Sequence, residues 1–265
     1  MKIKIFQPTV QLREYIQYYW LLEDYNRPEM QAQYVYPEGN MQLIFHYGDT
    51  LKVINHDGII TKQDLSMLCC QKFHGCQVVP TGNIGMFTVN FKPYGATVFF
   101  NLQLKDLLNQ NLDLCSLMGD KIKYINEMLY ETTNDEQKIS IVDNFLLSCL
   151  FDNANKEIEI LKRSLIYIDN HRGITSVDDL TQNSFVSSRH LERLYIKRIG
   201  LSPKQFLRIK QVNYAASLLK MSRTDNLTQI ALHSGFYDQA HFNNSFKTII
   251  GIKPLAFQKL SRNED

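Results

Sequence analysis

The chain has 265 residues, of which 44% are hydrophobic and 21% charged, with a net charge of +2. That length suits two domains, and the composition excludes a chain that is mainly disordered. No run reaches the roughly 18 apolar residues of a membrane span, and MKIKIFQPTVQ lacks the apolar stretch of a signal peptide, so a cytoplasmic protein with no membrane partner is expected.

The small net charge conceals an asymmetry. Residues 156–265 carry 17 Lys and Arg against 10 Asp and Glu, whereas residues 1–155 carry 12 against 17. A basic half joined to an acidic half points to a polyanion met by one of them alone. The five cysteines (Cys69, Cys70, Cys76, Cys115 and Cys149) are odd in number and lack framework spacing, which predicts reduced, mostly buried thiols.

In the first half, KIKIF (2–6), QLIFHY (42–47), LKVI (51–54), SMLCC (66–70) and MFTVNF (86–91) read as short strands. Turn signals separate them at 37–40, 56–58 and 81–83, a pattern that predicts a sandwich or barrel. Leu12, Ile16 and Tyr19 lie at helical spacing, so 12–20 is expected to be a helix. From about Tyr94 the period changes, and 121–130 and 136–150 read as amphipathic helices. Residues 151–156 (FDNANK) are polar enough to form a joint. Beyond them the chain reads as helical to residue 260, with Gly173 stopping one helix and Ser176 capping the next.

Within this helical half two units follow the same plan. The first runs from Val177-Asp-Asp-Leu180 through Ser187-Ser-Arg-His-Leu191-Glu-Arg-Leu194-Tyr195 to Gly200-Leu-Ser-Pro203. The second runs from Leu227-Thr-Gln-Ile230-Ala231 through Gly235-Phe236 and Asp238-Gln-Ala-His-Phe242 to Gly251 and Pro254. Each is a short helix, a tight turn and a second helix, the layout of a helix-turn-helix. A helix that enters the major groove must bury one stripe and keep the opposite face polar. Leu191, Leu194, Tyr195 and Ile199 form the buried stripe of the first unit, leaving Arg189, Arg193 and Lys197 along another face for guanine edges or phosphates. In the second unit Phe242, Phe246 and Ile249 face inward, leaving Gln239, His241, Asn243 and Asn244 for DNA and Lys247 for phosphate. Between the units, Pro203–Met221 makes a rod of about 28 Å. Readers of successive major grooves must sit roughly 34 Å apart, so the rod fits that gap.

The run Ile230-Ala231-x3-Gly235-Phe236-x-Asp238-Gln239-x2-Phe242-x3-Phe246-Lys247-x3-Gly251-x2-Pro254 resembles the signature of AraC/XylS-type transcription regulators. The resemblance covers about 100 residues and implies a two-lobed domain that binds double-stranded DNA, with RNA polymerase as a further partner of an activator. Carried over by position, base-reading residues fall on Arg189, Glu192 and Arg193, then on Gln239, Ala240, Asn243 and Asn244. His190 neighbours the first set, and Ser187 is placed to cap the first recognition helix and meet a phosphate. Ala240 has only apolar contact to offer a base. The first turn departs from the family pattern: Phe185 stands where glycine is usual, and Thr181 where alanine is, so a reshaped turn is expected there.

Pro37-Glu38-Gly39-Asn40 and the strand after it, with Phe91-Lys92-Pro93-Tyr94-Gly95-Ala96, resemble the sensor segment of a subset of the same regulators. The implied fold class is α+β with two domains. Residues 1–155 form a small cupin-like β-barrel with packed helices, for effector binding or dimerisation, and residues 156–265 form the all-α double helix-turn-helix. Trp20, Tyr36, His46 and Phe91 are the candidates for an effector pocket, although such aromatic residues also fill any small barrel. His46, His56 and His74, with Glu38 and Cys76 nearby, form no His-x-His pair, so neither a metal nor another cofactor is expected. No catalytic motif stands out and no enzyme is expected. Other readings stay open at this level: a cupin-type metal enzyme fused to a DNA-binding tail, a regulator without effector acting through dimerisation, and a nonspecific packaging protein.

Overall fold

In a computed structural model, residues 2–25, 32–151, 155–221 and 226–262 are described. The molecule is a two-domain α+β protein, and among the described residues all strands fall in the first 113 positions. Ten strands run β1 (Lys2–Phe6), β2 (Ile16–Asp24), β3 (Gln33–Val35), β4 (Gln42–His46), β5 (Lys52–Ile54), β6 (Ile60–Lys62), β7 (Ser66–Cys69), β8 (Cys76–Val79), β9 (Ile84–Phe91) and β10 (Asn111–Asp113). They form an antiparallel six-stranded sheet of order β1-β2-β9-β4-β7-β10 and a second antiparallel sheet of order β3-β8-β5-β6. Neither order returns to its first strand, so the expected barrel is an arrangement of two open sheets.

The larger sheet is covered on both faces, which follows from the two-residue period of its side chains. On one face Leu22, Ile44, Met67, Ile84 and Met86 form a small apolar cluster with Leu51, against which Val78 of the second sheet packs. On the other, Tyr19, Leu21, Leu43, Phe45, Phe87 and Val89 meet α2 (Asp120–Glu131) and α3 (Asp135–Cys149), which follow the five-residue α1 (Leu114–Met118). The Phe45 and Phe145 rings meet edge to face at 6.2 Å, and the Tyr19 hydroxyl donates to Asp143 Oδ1 at 2.5 Å.

The segment expected to be a helix over 12–20 is a short 3-10 turn (Val10–Leu12) followed by β2. Pairing decides it: β2 takes both β1 and β9 as antiparallel neighbours, and a strand covered on both faces carries apolar residues without alternation. The helices predicted at 121–130 and 136–150 are α2 and α3. Residues 152–154 of the expected joint lie outside the described residues. All five cysteines are free, but only Cys70 is buried and the other four are half-buried, so the prediction of mostly buried thiols holds for one of them.

The second half is helical: α4 (Asn155–Asn170), α5 (Val177–Ser184), α6 (Ser188–Arg198), α7 (Pro203–Met221), α8 (Leu227–His233), α9 (Gln239–Ile250) and α10 (Pro254–Arg262). Helix α7 is its axis. Phe206, Ile209, Val212, Ala216 and Leu219 are all buried, as the sequence requires, and Gln211 is drawn in to donate to the Ser234 carbonyl at 2.8 Å. The two halves share one continuous apolar core. They meet where side chains are smallest: a Cβ on Gly39 would lie 2.7 Å from the Phe206 ring, and one on Gly75 would lie 2.4 Å from the Ile250 carbonyl oxygen. Asn213 Nδ2 donates to the Pro37 carbonyl at 2.9 Å, and His74 Nδ1 lies 3.0 Å from the Thr248 carbonyl oxygen.

Candidate nucleic-acid interface

Each recognition helix is started by a cap and oriented by a buried stripe. Ser176 and Asp179 form a reciprocal capping box on α5. The Ser187 hydroxyl accepts from the His190 N–H at 3.3 Å and starts α6, and Asp238 accepts from the His241 N–H at 2.7 Å and starts α9. Leu191, Leu194, Tyr195 and Ile199 are fully buried under α6, and Phe242, Phe246 and Ile249 under α9. The Tyr195 hydroxyl lies 2.9 Å from Ser164 Oγ, which ties α6 to α4.

Burial of those stripes turns Arg189, Glu192, Arg193 and Lys197 of α6 outward, all exposed, with Ser187 also exposed and His190 half-buried. Arg193 reaches back to His190 Nδ1 at 3.2 Å. On α9, Gln239, Ala240, His241, Asn244 and Lys247 are exposed. Gln239 Oε1 accepts from the Thr228 hydroxyl at 2.9 Å, which fixes its amide at the mouth of the second turn. Asn243 is half-buried, and its Oδ1 is enclosed without a hydrogen-bond partner among the described residues.

The turn between α5 and α6 corrects an expectation. Phe185 adopts the left-handed conformation that glycine would take, with φ of 56° and ψ of 42°, so the turn keeps its shape and the phenylalanine carries the strain. The residue is 83% exposed, so burial offsets little of that strain. Gly235 holds the corresponding place in the second unit at φ of 74°.

Lys197 is not an unpaired cation. Its ammonium donates to both carboxylate oxygens of Glu157 on α4 at 2.9 Å, and the Arg198 guanidinium holds the same carboxylate at 2.8 Å. Burial works to raise the Glu157 carboxyl, but the hydrogen bonds from Lys197 and Arg198 outweigh it and hold it below the usual carboxylate range. Sequence reasoning missed Glu157 because the tie spans 40 residues.

These two helix-turn-helix units match a helix-turn-helix domain family over residues 180–260, and residues 4–113 match a domain family of unknown function (DUF6597). The probable transcriptional regulator LumQ of Photobacterium leiognathi is 30% identical over 186 residues, covering 67% of this chain and 73% of LumQ. The chain belongs to the AraC/XylS-type transcriptional regulators. The transcriptional activator AarP of Providencia stuartii is 29% identical over 37% of this regulator and 73% of its own length. Among solved structures, ToxT of Vibrio cholerae is 14% identical, covering 91% of this chain and 98% of its own, with a TM-score of 0.48.

The four candidate effector residues of this regulator do not converge. Trp20 and the buried His46 lie on the sheet face toward the second sheet, Phe91 points to the opposite face into the helical core, and Tyr36 packs edge to face on Phe257 at 5.9 Å. Burial depresses the His46 imidazole to about 4, although Gln63 Oε1 lies 2.9 Å from its Nε2. Of the four, Tyr36 alone reaches the cavity of about 640 Å³ between the halves, whose walls also carry Lys92, Lys162, Lys210 and Lys220. Those lysines are scattered from 92 to 220, so no local pattern marks them. Among the described residues no group of three or more His, Cys, Asp or Glu is placed to hold a metal ion, and no helix is long and apolar enough to cross a membrane.

Proposed function

We propose that this regulator reads two successive major grooves, α6 in one and α9 in the other, with α7 setting the distance between them. Residues 156–265 act as the DNA-binding domain and residues 1–155 as the sensing domain. The observation that carries this reading is the pairing of a buried stripe with an exposed polar face on both capped helices. Arg193 is the leading specifier, since its planar fork suits guanine O6 and N7. Lys247, exposed at the end of α9, contacts phosphate. RNA polymerase as a partner and pairing of two copies are part of the same proposal, supported by the resemblance to the family alone. The test is selection of bound duplexes from a random pool: two half-motifs about ten base pairs apart are expected, and a single motif or no enrichment would overturn the reading.

The effector, on this reading, is a small organic anion held between the halves rather than within the strands. Lys92 carries no ion pair among the described residues, and burial, with Lys162 nearby, lowers its pKa against the opposing pull of Glu14, so the acids around it, Glu38 and Asp169 of the lining included, leave room for an entering anion to stabilise its charge further. Tyr18, Tyr36 and Tyr94 supply flat apolar surface beside it. A thermal-shift panel of carboxylates and neutral analogues tests this. Carboxylates should raise the melting point of the wild type and not of Lys92→Ala, and equal shifts with neutral analogues would exclude charge recognition.

A further inference from the structure

We infer that the strand-rich half is itself part of the DNA interface, with Lys105, Asn101 and Gln103 facing the phosphate strand that runs beside α6. The inference rests on the reading of α6 as a major-groove helix.

The reading face of α6 does not stand free in solvent. Arg189, Glu192, Arg193 and Lys197 line a groove of about 1050 Å³, and every residue from Phe100 to Lys105 lines the same groove. That segment is anchored: Leu104 is buried, and a Cβ built on Gly200 at the end of α6 would lie 3.3 Å from the Leu104 Cβ. The anchoring turns Asn101, Gln103 and Lys105 outward, all exposed, while Leu102 is half-buried. A helix in a major groove about 12 Å wide has a phosphate strand on each side. A wall that shares a groove with the helix face therefore stands where one of those strands passes. Its chemistry suits the task, since Lys, Asn and Gln side chains are among the usual phosphate donors. Lys105 has no ion pair among the described residues. The groove as a whole carries Arg189, Arg193, Lys197, Arg198 and Lys105 against Glu157 and Glu192, an excess of three positive charges.

The experiment uses the full chain. Binding of Lys105→Ala and the Asn101→Ala/Gln103→Ala pair is compared with wild type over a salt series, on a labelled random-sequence duplex and on the duplex recovered by selection. A phosphate contact by Lys105 acts on both DNAs alike and lowers the slope of log affinity against log salt by about 0.9. An unchanged slope, or tighter binding by Lys105→Ala because the wall bars the duplex, overturns the inference. Arg193→Ala in the same series separates the two levels. If it weakens the selected duplex while Lys105→Ala changes nothing, only the wall's role has failed; if it also changes nothing, the reading of α6 has failed. Lys62→Ala, exposed on β6 and outside the groove, should leave the slope at the wild-type value.

Discussion

Lys197 grips both carboxylate oxygens of Glu157, so the last cation on the reading face of the first recognition helix is already committed to an acid of its own half. A phosphate must compete with that carboxylate. Glu157→Gln removes the competitor's charge and leaves the amide in place to accept from Arg198. The expected outcome is tighter binding to random and selected duplexes alike, with a salt slope steeper by about one phosphate contact. Lys197→Ala, by the same logic, should cost less affinity than Lys247→Ala. Filter binding over a salt series measures both.

Arg193 and Lys247 should separate specificity from attraction. Arg193→Ala is expected to cost about 1–3 kcal/mol on the selected duplex and to relax preference at one base position. Lys247→Ala should weaken every sequence equally and reduce the salt slope by about one. An Arg193→Ala variant that loses as much on random DNA as on its selected site would show a phosphate contact instead of a base contact.

Phe185 holds a left-handed backbone with an exposed ring, so the strain is uncompensated by burial. A non-glycine residue in that region costs roughly 1–2 kcal/mol, against which glycine loses some chain entropy on folding. Phe185→Gly should therefore stabilise the protein by about 0.5–1 kcal/mol, read as a higher urea midpoint at unchanged slope. A lower midpoint would mean that the ring has a partner in the folded chain.

The helical half was legible because each signal is local. Ser176, Ser187 and Pro203 mark helix starts within one turn, and the stripes Leu191–Leu194–Tyr195 and Phe242–Phe246 repeat at the helical period. The strand half was legible only where strands alternate or end in clear turns. Strand β2 was misread because Leu12, Ile16 and Tyr19 fit a helix locally, and only its pairing with β1 and β9 reveals a strand covered on both sides. Strands β3, β6 and β10 are three residues long, too short to carry a period. The tie from Lys197 to Glu157, the lysine-lined cavity and the wall at 100–105 arise from long-range packing, to which spacing rules are blind.

The buried His46 gives the strand-rich half a pH dependence whose sign is fixed. Its imidazole is held to about 4 when folded, chiefly by burial, against 6.5 in an exposed chain. Above pH 6.5 both states are neutral and the group is indifferent to folding. As pH falls from 6.5 toward 4, the unfolded chain takes up a proton that the folded chain refuses, so stability drains away over that window and levels off below it. Carboxylates titrate in the same range, so the informative quantity is a difference. His46→Gln removes the titrating group while keeping a polar side chain opposite Gln63, and its stability should fall less than that of the wild type between pH 7 and 4, by about 3 kcal/mol. Parallel curves for the two proteins in urea melts across that range would mean that the imidazole is solvated in the folded state.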